Sequence, residues 1–153
     1  MVTKLKIGDV TLGVVKYANY VTVGGRYQCS NCKSFRPTYA PYTIKYCPNC
    51  GARIGAPELD KLEAYLVDKG TKYEREDVLV DGLERHQIVV RTHENDEDVF
   101  WDAICQPGSY GYDEGLLEVA GIIVPGGDVI GWLKYTDVID LIEVFERNHK
   151  PKE

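Results

Sequence analysis

Over the first fifty residues, apolar positions fall in short runs broken by glycines and charges, the pattern of β-hairpins. "KLKI" and "VTLGVV" flank a Gly8-Asp9 turn. "YVTV" and "RYQC" flank Gly24-Gly25, a dipeptide that tolerates the positive φ values of a tight hairpin turn. This second hairpin runs straight into Cys29. The period changes at "GAPELDKLEAYLVDKG", where Leu59, Leu62 and Leu66, with Tyr65 beside them, form one helical stripe. Pro57 suits a first helical position, Glu58 and Asp60 suit the positive end of the helix dipole, and Gly70 supplies a stop.

Strand patterns follow. "RHQIVVRTH" and "DVFWDAICQ" flank the acidic turn Glu94-Asn95-Asp96-Glu97, and "GLLEVAGIIV" is a third. Alternation puts Ile88 and Val90 on one face of the first, and Leu117, Val119 and Ile123 on one face of the third. In the second it sets Phe100 and Ile104 against Trp101 and Ala103. After Pro125-Gly126-Gly127, "GWLKY" leads to Thr136 as an N-cap, with Asp137 just inside. Val138, Leu141, Ile142 and Phe145 then recur at helical spacing. The pattern predicts an α+β fold: N-terminal hairpins with a cysteine clip, then a three-stranded antiparallel sheet with both helices on one face. The boundary falls near residue 56, dividing the chain into 1–56 and 57–153.

Charge sharpens that division. The 153 residues carry a net charge of −6, but residues 1–56 hold eight Lys or Arg against Asp9 alone. Residues 57–153 hold ten basic and 23 acidic side chains. Such a split suggests parts with different partners, or parts that attract each other. No run approaches the ~20 apolar residues of a membrane span. "MVTKLKIGDV" has neither a long apolar core nor a small-residue cleavage site, so no signal peptide and a cytoplasmic location are expected. Thiols stay reduced there, so closely paired cysteines favour metal over disulfide.

The cysteines bear this out in their spacing: Cys29, Cys32, Cys47 and Cys50 form C-x2-C-x14-C-x2-C. Four thiolates in two tight knuckles suit a structural, tetrahedral Zn²⁺, with iron as the alternative for soft sulfur ligands. Gly51 lets the second knuckle turn sharply; Lys33 takes that place in the first and makes it less ideal. The insert between the knuckles mixes Lys33, Arg36 and Lys45 with Phe35, Tyr39 and Tyr42. Cations among aromatics suit phosphate contact and base stacking; equally, the tyrosines can pack over a module too small for a core of its own. "CSNC…CPNCGARI" resembles a zinc ribbon of the rubredoxin-like kind. That resemblance implies binding to DNA, RNA or protein, or plain stabilisation of a small domain.

The acidic part carries a glycine-rich stretch, "CQPGSYGYDEG", whose Ser109, Tyr110 and Tyr112 make it a candidate binding loop; it lacks the phosphate-loop pattern. Cys105, with His86 and Asp102, is a weak nucleophilic constellation, because Asp102 and Cys105 differ in strand parity. "HENDEDV" lacks the spacing of a calcium loop and reads as a solvated hairpin tip. The segments "WDAIC", "GSYG" and "GLLE", followed by "GWLKYTDVI", resemble small bacteriophage and prophage proteins. This implies a mobile-element origin and transfers no activity. Together these readings point to a non-enzymatic zinc-binding adaptor that contacts nucleic acid or a host protein. The rival is an inhibitor of a host defence or transcription system that works through its acidic surface.

Overall fold

The computed structural model describes residues 2–7, 10–37, 42–43, 45–80, 83–91 and 99–149. The N-terminal part contains β1 (Val2–Ile7), β2 (Val10–Ala18), β3 (Tyr20–Val23), β4 (Arg26–Cys29), β5 (Phe35–Pro37), β6 (Tyr42–Thr43) and β7 (Arg53–Ile54). Then come α1 (Pro57–Lys69), β8 (Glu74–Val80), β9 (Leu83–Arg91), β10 (Val99–Ile104), β11 (Leu117–Gly121), β12 (Val129–Leu133) and α2 (Tyr135–Asn148). The fold is α+β, and the expected hairpins, three central strands and two helices are all present. The Gly8-Asp9 turn and the acidic tip at 94–97 lie outside the described residues.

β3, β4 and β5 form one small antiparallel sheet. Gly24 and Gly25 turn the first pair at φ of 55° and 75°, as the dipeptide predicts. β1 and β2 pair antiparallel, and β7 lies parallel to β2 before the chain enters α1. The main sheet runs β12-β11-β10-β9-β8-β6, antiparallel throughout.

This sheet is wider than the three strands expected. β8, "EREDVLV", escapes a hydrophobic pattern because Arg75 and Asp77 point inward beside Leu79. β12 is masked by the glycine of "VIGWL". β6 comes from the insert between the cysteine pairs, which no pattern within the acidic part foretells.

One face of the main sheet presents Ile88 and Val90, Trp101 and Ala103, and Leu117 and Val119. Leu59, Leu62 and Leu66 of α1 and Val138 and Ile142 of α2 bury against it. Each such side chain stabilises by roughly 1.5–3 kcal/mol when fully buried. The predicted facing of Phe100 is corrected by a bulge between Val99 and Trp101, which turns Phe100 toward α2, edge-on to Phe145. α1 begins at Pro57 and ends on Gly70 at φ 75°, as expected. α2 begins two residues earlier than expected, with Lys134 as N-cap rather than Thr136. The Asp137 carboxylate accepts the Lys134 N–H at 2.9 Å, and Glu58 of α1 accepts the Tyr135 N–H at 2.7 Å.

Candidate metal centre

The strand β4 delivers Cys29 into a turn in which the Lys33 N–H donates to the Cys29 carbonyl, 2.9 Å, and the Cys29 N–H donates to the Ser34 carbonyl, 2.9 Å. The second turn repeats this pattern: the Gly51 N–H donates to the Cys47 carbonyl, and the Cys47 N–H to the Ala52 carbonyl, both 2.8 Å. Gly51 takes φ 76° and Lys33 takes φ 63°. The first knuckle therefore closes as fully as the second, with a lysine held in the left-handed region that glycine occupies freely. The expected weakness is a matter of backbone strain, not of geometry.

The two turns face each other. Cys29 Sγ lies 3.9 Å from Cys50 Sγ, and Cys32 Sγ 3.7 Å from Cys47 Sγ; all four sulfurs fall within 4.8 Å of one another. A tetrahedron with metal–sulfur bonds of about 2.3 Å has edges of about 3.8 Å. The four cysteines could hold a metal ion. The Ser34 hydroxyl, 3.0 Å from Cys32 Sγ, and the Asn49 side chain hold the Cys32 thiol down at about 5. Burial opposes ionisation of Cys47, but the amides of Cys50 and Asn49 and the Tyr20 hydroxyl outweigh it and lower its pKa. Burial pushes Cys29 up to about 12.

Beneath the two cysteine knuckles lies a largely buried charged network that sequence reading did not anticipate. The Arg53 guanidinium bonds both Asp60 oxygens, at 3.2 and 2.9 Å, and the carbonyls of Lys45 and Ile54. Arg75 reaches Asp60 at 2.6 Å and Asp77 at 3.0 Å. Asp77 lies 2.8 Å from His86 Nδ1, and Glu84 lies 3.4 Å from His86 Nε2. Glu84 in turn accepts the Tyr20 N–H. The network thus starts beside the second cysteine knuckle, crosses β8 and β9, and returns to β3. Burial disfavours the His86 imidazolium, but its bonds to Asp77 and then Glu84 raise its pKa above 6.5. The only sequence signal was parity: Arg75 and Asp77 share the face of Leu79.

The remaining candidates separate. Phe35 and Lys33 are exposed, and Lys45 is exposed at the return to the second knuckle. Arg36 is half-buried, opposite Tyr27. Tyr39 and the side chain of Tyr42 lie outside the described residues. Phe35 shares an outward face with Val21, Val23, Arg26 and Gln28, and the Arg26 guanidinium sits 4.1 Å over its ring. Ser109 closes its own turn through both the N–H and the carbonyl of Gln106. Tyr112 packs against the main core, and Tyr110 alone of the three points outward.

Cys105 and His86 are neighbours that line one pocket, and the Cys105 N–H donates to the His86 carbonyl at 3.1 Å, but Asp102 does not join them. Both ring nitrogens of His86 face carboxylates, Asp102 accepts from Gln87 at 2.7 Å, and burial pushes the Cys105 thiol up to about 12.

Among the described residues no helix is long and apolar enough to cross a membrane. Compared with protein-family models, curated proteins and solved structures, the chain finds no match.

Proposed function

We propose that the protein is a non-enzymatic zinc-ribbon adaptor of phage or mobile-element origin, and that the ribbon is its nucleic-acid-binding surface. The outward face of β3, β4 and β5 carries the reading. It offers a ring, Phe35, for stacking, an arginine already layered on that ring, two exposed valines, and Lys33 at the adjoining knuckle. Aromatic and cationic groups on a sheet are the means by which single strands are held with little regard to sequence. The excess of basic residues in 1–56 supports the same partner. The four sulfurs favour zinc, whose role is to close a small sheet that lacks a large core. The mobile-element origin is supported by the "WDAIC", "GSYG" and "GLLE" segments.

The experiment is anisotropy of a labelled oligothymidylate against the zinc-loaded chain at increasing salt. Affinity should fall steeply as salt rises, because phosphate contacts release counterions. Arg26→Glu with Lys33→Glu should lose at least about tenfold. Absence of binding at low salt, or binding indifferent to both salt and charge reversal, overturns the reading. Cys47→Ser with Cys50→Ser should abolish stoichiometric zinc by elemental analysis.

A further inference from the structure

Far from the ribbon in sequence, the loop after β10 and the strand β12 hold two aromatic rings side by side in solvent. Tyr110 and Trp132 stack with centroids 5.3 Å apart and planes inclined by 23°. They are 55% and 57% exposed, the most exposed large hydrophobic side chains among the described residues, whereas Trp101 is buried in the core.

The backbone fixes the pair in place. The Trp132 N–H donates to the Tyr110 carbonyl at 3.2 Å, and the Tyr110 N–H donates to the Glu118 carboxylate at 2.6 Å. Trp132 holds φ 57°, a conformation that a bulky side chain adopts only when its surroundings impose it. Gly131 lies so close to Tyr110 that a Cβ there would fall 2.2 Å from the Tyr110 Cβ. The rings are preorganised, which lowers the entropy lost when something docks on them.

Beside them is a pocket of about 220 Å³, lined by the pair with Ser109, Tyr112, Asp113 and Glu114. Asp113 and Glu114 are exposed, and among the described residues neither carboxylate has a cationic partner. Aromatic faces are electronegative and attract cations. Two uncommitted carboxylates add to that attraction and repel phosphate. A guanidinium is planar, stacks on rings and bonds carboxylates through its fork, so it satisfies both groups at once.

We propose that Tyr110, Trp132, Asp113 and Glu114 form a docking site for an arginine side chain presented by a basic segment of a partner protein. The site stands whether or not the ribbon binds nucleic acid, because it lies in the acidic part and selects the opposite charge.

The test uses the full zinc-loaded chain and a hexa-arginine peptide, followed by NMR of the two indole N–H groups. The peptide should move the Trp132 resonance and leave that of Trp101 in place. A hexacitrulline peptide, which keeps the shape without the charge, should bind at least about tenfold more weakly. Asp113→Asn with Glu114→Gln should lose at least about tenfold, and more than Asp68→Asn with Glu76→Gln, which removes the same charge elsewhere. The proposal is overturned if Trp132 does not respond, if citrulline binds as well as arginine, or if the two double variants weaken binding equally. It is also overturned if an oligothymidylate moves Trp132 and the peptide does not.

Discussion

At Lys33 a lysine performs the backbone task that Gly51 performs in the second knuckle, at φ 63° against 76°. A side chain in the left-handed region carries a cost of roughly 1–2 kcal/mol, greater when the Cβ is branched. Lys33→Val should therefore lower the denaturation midpoint of the zinc-loaded chain by an amount equivalent to about 1–2 kcal/mol. Lys33→Gly should leave it unchanged within about 1 kcal/mol, since relief of strain is offset by a more flexible unfolded chain. A Val variant as stable as the Gly variant would show that the turn is not held left-handed in solution. The clustering of the four cysteines was legible at this scale, because knuckle spacing is a local property. Trp132 was not: its exposure depends on the close approach of Gly131 to Tyr110, and nothing in "GWLKY" announces which ring faces water.

The helices were read well where their ends are marked by local chemistry, as at Pro57 and Gly70. The start of α2 was misplaced because its cap comes partly from Glu58, 77 residues away. Asp137 reaches back to the Lys134 N–H as the local half of that cap. Asp137→Ala should destabilise by about 0.5–2 kcal/mol, read from the thermal midpoint. No change would mean that Glu58 alone suffices to order the first turn. Strands with apolar alternation, such as β9, declared themselves. β8 did not, because its inward positions are filled by Arg75 and Asp77, whose partners lie on α1 and β9. A paired charge is invisible to a hydrophobicity pattern, and its partners are set by tertiary structure.

Across the whole molecule, Arg53, Arg75 and His86 meet Asp60, Asp77 and Glu84 in one largely buried network, with Glu63 beside Arg75 at its edge. The carboxylates of Asp77 and Glu84 on either side of His86 favour its protonated form. Its pKa in the folded chain lies above the ordinary 6.5, so its contribution to stability is complete below that pH and is lost as pH rises through the raised value. The gap in urea midpoint between the wild type and His86→Gln, both saturated with zinc, should be widest at or below pH 6.5 and narrow above it. A gap that stays constant with pH would show that His86 is neutral in the folded state. Because the network links β7 and β3 to the main sheet, the cysteine-bearing part and the acidic part are joined by more than chain continuity. β6 adds a second link with its own meaning. It pairs with Val78 and Leu79, the apolar end of β8, and the charged end from Glu74 to Asp77 stays outside that pairing. An uncovered apolar strand edge is a template for another chain, whereas charges guard an edge by themselves. A metal held by the four cysteines would clamp both ends of the insert and so keep this sheet from growing: chelation should then turn a well-behaved protein into one whose light scattering rises with time and concentration.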